Sequence, residues 1–319
     1  MLIVKTSSMG DVIHNLPIIH DIRQHLPDMQ IDWLVEETFA DIPHMHPDVK
    51  NVIPIAIRRW RKNLLSLQTW HEIADLRRQL KQTRYDLVLD TQGLIKSALV
   101  ARLANPPWHG YVRSSIREPI AAYFYTHSHT VSKKLHAVDR NRQLAAKALG
   151  YPVPQSAPEY GLNAGAPVTG INLPDRYVVG LHATSRDSKL WQESHWVSLG
   201  EQLITRGLCL LLPWGTPPEH ARAQRLAMQI PGAIVLPKLR IATLSHIMQG
   251  AKAAVGVDTG LVHLAVALGT PTVAIYTDTD PGLTGTQAGA GRIAINLGGI
   301  DHPPTAAAVI NCLRDQHIF

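Results

Sequence analysis

Short apolar runs that alternate with amphipathic stretches constrain this chain more than any other feature, because parallel βαβ units require that alternation. Leu2-Ile3-Val4 reads as a first strand, followed by a small-residue loop and a helix from about Gly10. Ile31 to Val35 reads as a second strand and Val52 to Ile57 as a third. Gln68 to Gln82 has a helical pattern, and Asp86 to Asp90 reads as a buried strand running into Gln92-Gly93-Leu94 and another helix. His136 to Leu149 ends this half as a basic amphipathic helix. Between Tyr151 and Pro174, prolines and glycines crowd a stretch with little periodicity, a linker by composition. The alternation then restarts at Tyr177–Leu181, Leu208–Leu212, Ala233–Leu236, Ala253–Val257 and Thr272–Ile275. The expected fold is α/β, two doubly wound Rossmann-like domains facing across a cleft, with ligands outside the C-terminal strand ends. The expected parts are residues 1–155, a linker over 156–174 and residues 175–319, with the last helix a candidate to pack back on the N-terminal domain.

A length of 319 residues agrees with two cores. The two cysteines, Cys209 and Cys312, lie far apart in apolar stretches, which argues against a disulfide framework or a zinc site and suits a reducing compartment. Met1 to Lys5 lacks the order of a signal peptide, and no apolar run approaches the roughly 20 residues that span a bilayer. A cytoplasmic protein is expected. The formal charge of +6 favours acidic partners: nucleic acid, anionic lipid or a phosphorylated substrate. Its placement says more, since Arg58-Arg59-Trp60-Arg61-Lys62 packs four cations into five residues. His44-Met45-His46 and His127-Ser128-His129 find no partner at metal-ligand spacing, and no HExxH occurs. No GxGxxG stands at Ser7–Asp11 and no GxxxxGK[ST] occurs, which counts against nicotinamide and P-loop enzymes.

Four polar constellations follow strand ends. Ser7-Ser8-Met9-Gly10-Asp11 puts a carboxylate in the first turn of a helix, where it is either a general base or only a stabiliser of its helix. Asp258-Thr259-Gly260-Leu261-Val262-His263 opens another helix, whose backbone N–H groups suit a phosphate or which is simply a tight turn capping an apolar helix; Asp258 itself would repel a phosphate and more naturally orients the loop or bonds a neutral group. In His182–Trp191, Thr184 and Ser185 offer hydroxyls and Lys189 a mobile cation, a set that suits a diphosphate or is simply a solvated loop. Glu219, past the strand ending at Leu212, could accept from ribose hydroxyls. Asp278-Thr279-Asp280 has a bare DxD spacing, but Pro281-Gly282 makes Asp280 read as turn chemistry.

These segments, with Asn15-Leu16-Pro17, Asp32–Glu37, Pro54–Lys62, Asp90–Ala98, Leu212–Gly215 and Thr279–Leu283, resemble the lipopolysaccharide heptosyltransferase I family in order along nearly the whole chain. Asp-Thr-Gly-Leu-x-His is common to the wider heptosyltransferase group, whereas the Arg58–Lys62 segment points to the first transferase of the pathway. The resemblance implies a GT-B fold and an inverting, metal-independent transfer without cofactor. L-glycero-D-manno-heptose would pass from ADP-heptose to a Kdo hydroxyl of Kdo2-lipid A in inner-core synthesis. It implies Asp11 as catalytic base and Lys189 as the cation that offsets charge on departing ADP. Thr184, Ser185, Lys189, Glu219, Leu239, Asp258, Thr259, Gly260, Leu261 and His263 would hold the donor, and Ser8, Gly10, Arg58, Arg59, Arg61, Lys62, Gln92 and Arg117 the acceptor. The family often has Thr-Thr where Thr184-Ser185 stands and a methionine where Leu239 stands; hydroxyl and apolar contact are both kept. Partners would then be ADP-heptose and a lipid acceptor, with neither nucleic acid nor metal, at the inner face of the bacterial inner membrane. The alternatives are a later heptosyltransferase or another GT-B nucleotide-sugar enzyme such as an epimerase, and a basic module binding nucleic acid.

Overall fold

The computed structural model describes residues 1–105, 107–164 and 170–318. The chain divides into two compact units, Met1–Ser156 and Ala157 onward. Part of the expected linker, residues 165–169, lies outside the described residues.

In the N-terminal domain the elements run β1 (Leu2–Val4), α1 (Met9–Ile13), α2 (Pro17–His25), β2 (Ile31–Glu36), α3 (Asp41–His44), β3 (Val49–Ile55), α4 (Ile57–Trp60), α5 (Leu67–Gln82), β4 (Val88–Asp90), α6 (Ile95–Ala101), β5 (Trp108–Tyr111), β6 (His127–His129) and α7 (Ala137–Leu149). The sheet is parallel in the order β3-β2-β1-β4-β5-β6. Strand β1 is central, pairing Leu2 with Asp32 and Val88, and Val4 with Leu34 and Asp90. A parallel strand covered on both faces must be apolar throughout, and Leu2, Ile3 and Val4 are all fully buried. Asp32 is tolerated inside β2 because Tyr85 Oη and Asn51 Nδ2 each donate to it at 2.9 Å. Helices α2 and α7 are joined by a buried bidentate pair, Arg142 donating to both oxygens of Asp21 at 2.8 and 2.9 Å. The same guanidinium donates to the Ser156 carbonyl at 2.7 Å.

Strand β3 ends at Ile55, two residues short of the sequence expectation, because Glu36 accepts from the Arg58 N–H at 3.0 Å and Ile57 opens α4. Pro54 is compatible with β3 because β3 is an edge strand. Strands β5 and β6 escape the sequence pattern: Trp-His-Gly-Tyr and His-Ser-His are too short and polar to read as apolar runs.

The C-terminal domain runs β7 (Tyr177–Leu181), α8 (Glu193–Ile204), β8 (Cys209–Leu212), α9 (Pro217–Gln229), β9 (Ile234–Val235), α10 (Ile241–Gly250), β10 (Ala253–Val257), α11 (Gly260–Ala267), β11 (Thr272–Tyr276), α12 (Pro281–Thr284), β12 (Ala294–Gly298) and α13 (Ala306–Asp315). Its parallel sheet, β12-β11-β10-β7-β8-β9, repeats the N-terminal order, with β7 in the place of β1 and β10 in that of β4. Val178, Val255, Val273 and Ile275 are fully buried, and Trp191 and Trp196 meet edge to face with centroids 5.2 Å apart. The last helix joins this core: α13 packs on α8 and buries Val309, Ile310 and Leu313, so its apolar stripe is used within the C-terminal domain. Among the described residues no helix is long and apolar enough to cross a membrane.

Candidate functional site

In each sheet the strand order reverses once, between β1 and β4 and between β7 and β10; Asp11, Gln92, Lys189 and Asp258 follow those four strands, while Arg58–Lys62, Glu219 and Leu239 follow β3, β8 and β9. At the first switch point the loops after β1 and β4 are stapled together. Gln92 Oε1 accepts from Thr6 N–H at 2.7 Å, Thr6 Oγ1 at 3.0 Å and Ser7 N–H at 3.1 Å, and its Nε2 donates back to the Ser7 carbonyl. Gln92, expected beside the acceptor, thus builds the wall of the crevice. Asp90 supports this loop from below, fully buried. It accepts from Gln92 N–H and Ser97 Oγ at 2.8 Å, from Tyr125 Oη at 2.8 Å and from Gly93 N–H at 3.2 Å. Burial pushes its carboxyl up, against the pull of those donors.

Asp11 is the third residue of α1. Its Oδ2 accepts from both the N–H and the Oγ of Ser8 at 2.8 Å, so the carboxylate is fixed by the residue that precedes the helix. Both bonds fall on one oxygen, which leaves Oδ1 for another donor. Lys5 lies under this turn, buried, with its ammonium donating to the Thr91 carbonyl at 2.9 Å. Burial pushes Lys5 down, opposed by the charges of Asp11 and Asp90 and assisted by those of Arg140 and Arg117. Arg117 is itself exposed, and Lys96 Nζ donates to Ser7 Oγ at 3.3 Å. Sequence reading missed Lys5 and Asp90 as site builders; the available signal was a charge at each end of an otherwise apolar strand end.

The basic segment is not a plain loop. Trp60 is buried and donates from its indole to Glu72 at 2.6 Å, anchoring α4 to α5. Arg59 bridges Glu72 at 3.0 Å and Glu37 at 3.4 Å, so part of its charge is already answered within the protein. Arg58 lies over the Phe39 ring at 5.2 Å, and Arg58, Arg61 and Lys62 are exposed.

At the second switch point three loops converge on Asp258. Its Oδ2 accepts from Lys189 Nζ at 2.6 Å and from Thr279 Oγ1 at 2.8 Å, while its carbonyl accepts from Thr184 Oγ1 at 2.9 Å. The loops after β7, β10 and β11 are therefore tied by one residue, the orienting role expected of it. Thr259 is the N-cap of α11, and its side chain makes no cap bond, which leaves the first-turn N–H groups of Gly260 and Leu261 at the helix start without that partner. Ser185, next in sequence to Thr184, is exposed, and His263 is buried on the first turns. Thr279, which lies inside the bare DxD spacing and outside the expected site residues, becomes a member of the cluster. Asp280 instead caps α12, accepting from Gly282 N–H at 2.8 Å.

Glu219 serves its own helix: Oε2 accepts from Gly215 N–H at 2.7 Å and Thr216 N–H at 3.1 Å. Leu239 is half-buried beyond β9. Between them sits Trp214, which sequence reading left without a role; its indole donates to the Leu236 carbonyl at 2.7 Å and its ring tilts against His220 at 4.2 Å. At the end of β7, burial and the nearby Arg222 push His182 down to about 4. Among the described residues no three His, Cys, Asp or Glu are placed to hold a metal ion.

The sequence profile of glycosyltransferase family 9 (heptosyltransferase) matches residues 73–312. Lipopolysaccharide heptosyltransferase 1 of Pseudomonas aeruginosa is 46% identical over 93% of this chain and 83% of its own. The solved structure of E. coli heptosyltransferase WaaC with ADP superposes with a TM-score of 0.90 at 44% identity, covering 98% of each chain. That of the same enzyme with ADP-2-deoxy-2-fluoro heptose gives 0.88 at 42% identity, covering 99% of each.

Proposed function

The chain belongs to glycosyltransferase family 9, the heptosyltransferases, and from that premise we propose how its two switch points divide the work of inner-core heptose transfer. The donor is ADP-heptose, a nucleotide sugar of the kind whose ADP part and fluoro analogue the two similar structures hold. It sits at the C-terminal domain's switch point, with its diphosphate at the uncapped start of α11. Thr184, Ser185, Thr259, Gly260 and Leu261 surround it, His263 shapes the turn, and Leu239 and Glu219 border the nucleoside. Lys189 carries three donors and gives one to Asp258, so the others are available to phosphate oxygens. The observation that carries this reading is the convergence of three loops on Asp258 beside Lys189 and an open helix start.

The acceptor is a Kdo hydroxyl of Kdo2-lipid A. It lies against Ser8, Gly10 and the wall that Gln92 builds, with Arg58, Arg59, Arg61, Lys62 and Arg117 toward its anionic groups. As the hydroxyl oxygen attacks C1 of heptose, the bond from C1 to the ADP oxygen breaks. The hydroxyl proton passes to Asp11, and Lys189 offsets the charge appearing on ADP. One displacement of this kind inverts the anomeric centre. No bound metal is required for it, because Lys189 and the α11 N–H groups supply the positive field. A lipid acceptor places the enzyme at the inner face of the bacterial inner membrane.

The test is to mix the protein with ADP-heptose and Kdo2-lipid A and follow the acceptor by mass spectrometry. A gain of one heptose supports the reading. Change in the donor without acceptor would instead identify an epimerase, and transfer only to an already heptosylated core a later transferase. Activity abolished by a chelator and restored by magnesium would overturn the metal-free mechanism.

A further inference from the structure

The basic segment after β3 runs directly into an apolar one. Leu64, Leu65, Leu67 and Trp70 follow with 54%, 101%, 77% and 55% of their surface exposed. Scattered single leucines on a surface need no explanation, but four large apolar side chains within seven residues form a patch that water disfavours. The patch is held in shape: Trp70 Nε1 donates to the Leu64 carbonyl at 2.9 Å, pinning the start of α5 to the loop before it while leaving the ring outside. Helix α5 buries only Thr69, Leu76 and Leu80. A flank about a quarter turn away, judged by the 3.6-residue period, carries Trp70, Arg77 and Lys81 along a shallow groove of about 650 Å³ that Arg78 also lines.

The charge around the patch is one-sided. From Arg58 to Arg84 there are eight arginines and lysines against two carboxylates, and this excess equals the whole formal charge of the chain, +6. One carboxylate, Glu72, is occupied by Arg59 and Trp60, and the other, Asp75, pairs with Arg78. Exposed leucines flanked by cations have little to gain from nucleic acid, whose phosphates would meet the arginines and leave the leucines wet. A second copy of the chain would bring the same positive region against itself. A bilayer with anionic headgroups satisfies both halves of the patch at once: hydrocarbon for the leucines and negative charge for the rim.

We propose that Leu64, Leu65 and Leu67 enter the acyl boundary of an anionic bilayer, with Trp70 at headgroup level and Arg77, Arg78 and Lys81 on lipid phosphates. The proposal deepens the membrane-surface location given above and rests on it. Its placement adds a purpose to the order of residues: the acceptor-binding cations at 58–62 precede the insertion loop by only a few positions, so a lipid-borne Kdo would be met at the membrane surface itself. Two weak signals acting together, one apolar and one electrostatic, give firm but reversible binding where either alone is marginal.

The full chain is sedimented with vesicles of phosphatidylcholine alone and of phosphatidylcholine with phosphatidylglycerol. The same proteins are assayed with Kdo2-lipid A in those vesicles and with a soluble acceptor stripped of its acyl chains. Binding should require the anionic lipid. Leu64→Ser with Leu65→Ser and Leu67→Ser should lower vesicle binding at least about tenfold and slow transfer to the embedded acceptor, with transfer to the soluble acceptor and the melting temperature unchanged. Arg77→Glu with Arg78→Glu and Lys81→Glu should abolish the preference for anionic vesicles. Vesicle binding that ignores the leucine changes, or native protein that uses both acceptors without binding vesicles, overturns the insertion surface and leaves the transferase reading standing. Self-association, or nucleic-acid binding, that disappears with the leucines also overturns it. Failure of the native protein to transfer heptose to either acceptor, with lipid binding as described, would overturn the function and leave the surface intact.

Discussion

The two domains repeat one strand order, yet their switch points are finished in opposite ways. In the N-terminal domain the helix start after β1 is closed by its own residue, Asp11, whose carboxylate takes both Ser8 donors. In the C-terminal domain the helix start after β10 has no side-chain cap, and the nearby carboxylate, Asp258, is turned to Lys189 and Thr279 instead. A closed start presents a fixed negative group; an open one presents N–H donors to an anion. In the proposed mechanism, one architecture thereby supplies a base in one domain and a diphosphate seat in the other. The difference is set by a few side chains at a single junction.

The sharpest way to break this contrast is Asp11→Asn, which keeps a side-chain acceptor for Ser8 but removes the base. Turnover should fall by about a hundredfold to ten-thousandfold, with folding and donor affinity retained. Near-normal turnover would show that the closed helix start is structural only. On the other side, Lys189→Ala should cost about 3 kcal/mol in kcat/KM and weaken ADP binding as well, measured by steady-state kinetics and calorimetry. If donor affinity held while turnover alone fell, Lys189 would act only in the transition state.

Acid should test both domains together. His46 and His182 are buried, one in each domain, and each is pushed down to about 4, first by burial. A free imidazole titrates near 6.5, so between about 6.5 and 4 the unfolded chain binds more protons than the folded one. Their contribution is complete above the upper limit and is lost as pH falls through the window, up to about 3 kcal/mol for each histidine. Thermal melts over that range should show the fall, and His46→Asn or His182→Asn should flatten it for the domain concerned. Melts flat with pH in the native protein would mean that these rings are solvated in solution.

Replacing Arg58, Arg59 and Arg61 together with alanine should raise the acceptor KM at least about tenfold and leave ADP-heptose binding unchanged, with salt weakening acceptor use in the native enzyme more than in the variant. Arg59 contributes the least of the three if its bonds to Glu37 and Glu72 persist with acceptor bound, so Arg59→Ala alone separates the two roles. Donor affinity lost with acceptor KM unchanged would reverse the assignment of the two domains. The smallest effect is expected at Glu219. Glu219→Ala removes a helix cap worth about 1 kcal/mol, and thermal melts should register that whether or not ribose is bound. Equal stability with weaker donor binding would make it a nucleoside contact instead.

Much of this was legible in the residues. The buried parallel strands announce themselves because both faces must be apolar, which is why β1, β7 and β10 read clearly. Strand β5 and the edge strands β6 and β12 do not, since they keep polar or half-exposed positions. Asp11 and Asp258 stand out by their place at strand-to-helix junctions, but their partners differ in legibility. Ser8 stands three residues before Asp11, the spacing of a capping box, whereas Thr279 on Asp258 cannot be read from spacing, because it joins loops 21 residues apart. Lys5 and Asp90 were hidden for a different reason: a buried charge at the end of an apolar strand looks like the strand's boundary until the neighbouring loop is in place.

The bond from Arg142 to the Ser156 carbonyl bears on how such enzymes can be recombined. The Arg142 side chain is buried, and its guanidinium holds Asp21 of α2 with two donors and spends another on the backbone seven residues beyond α7. A chimera joined just after Leu149 would take the first acceptor along with the arginine and leave the second behind. Losing a hydrogen bond to a buried charge costs about 1.5–3 kcal/mol, enough to handicap a hybrid whose halves are each sound. The exchangeable module therefore extends through Ser156, and the C-terminal unit can be exchanged with least damage by crossing over beyond it.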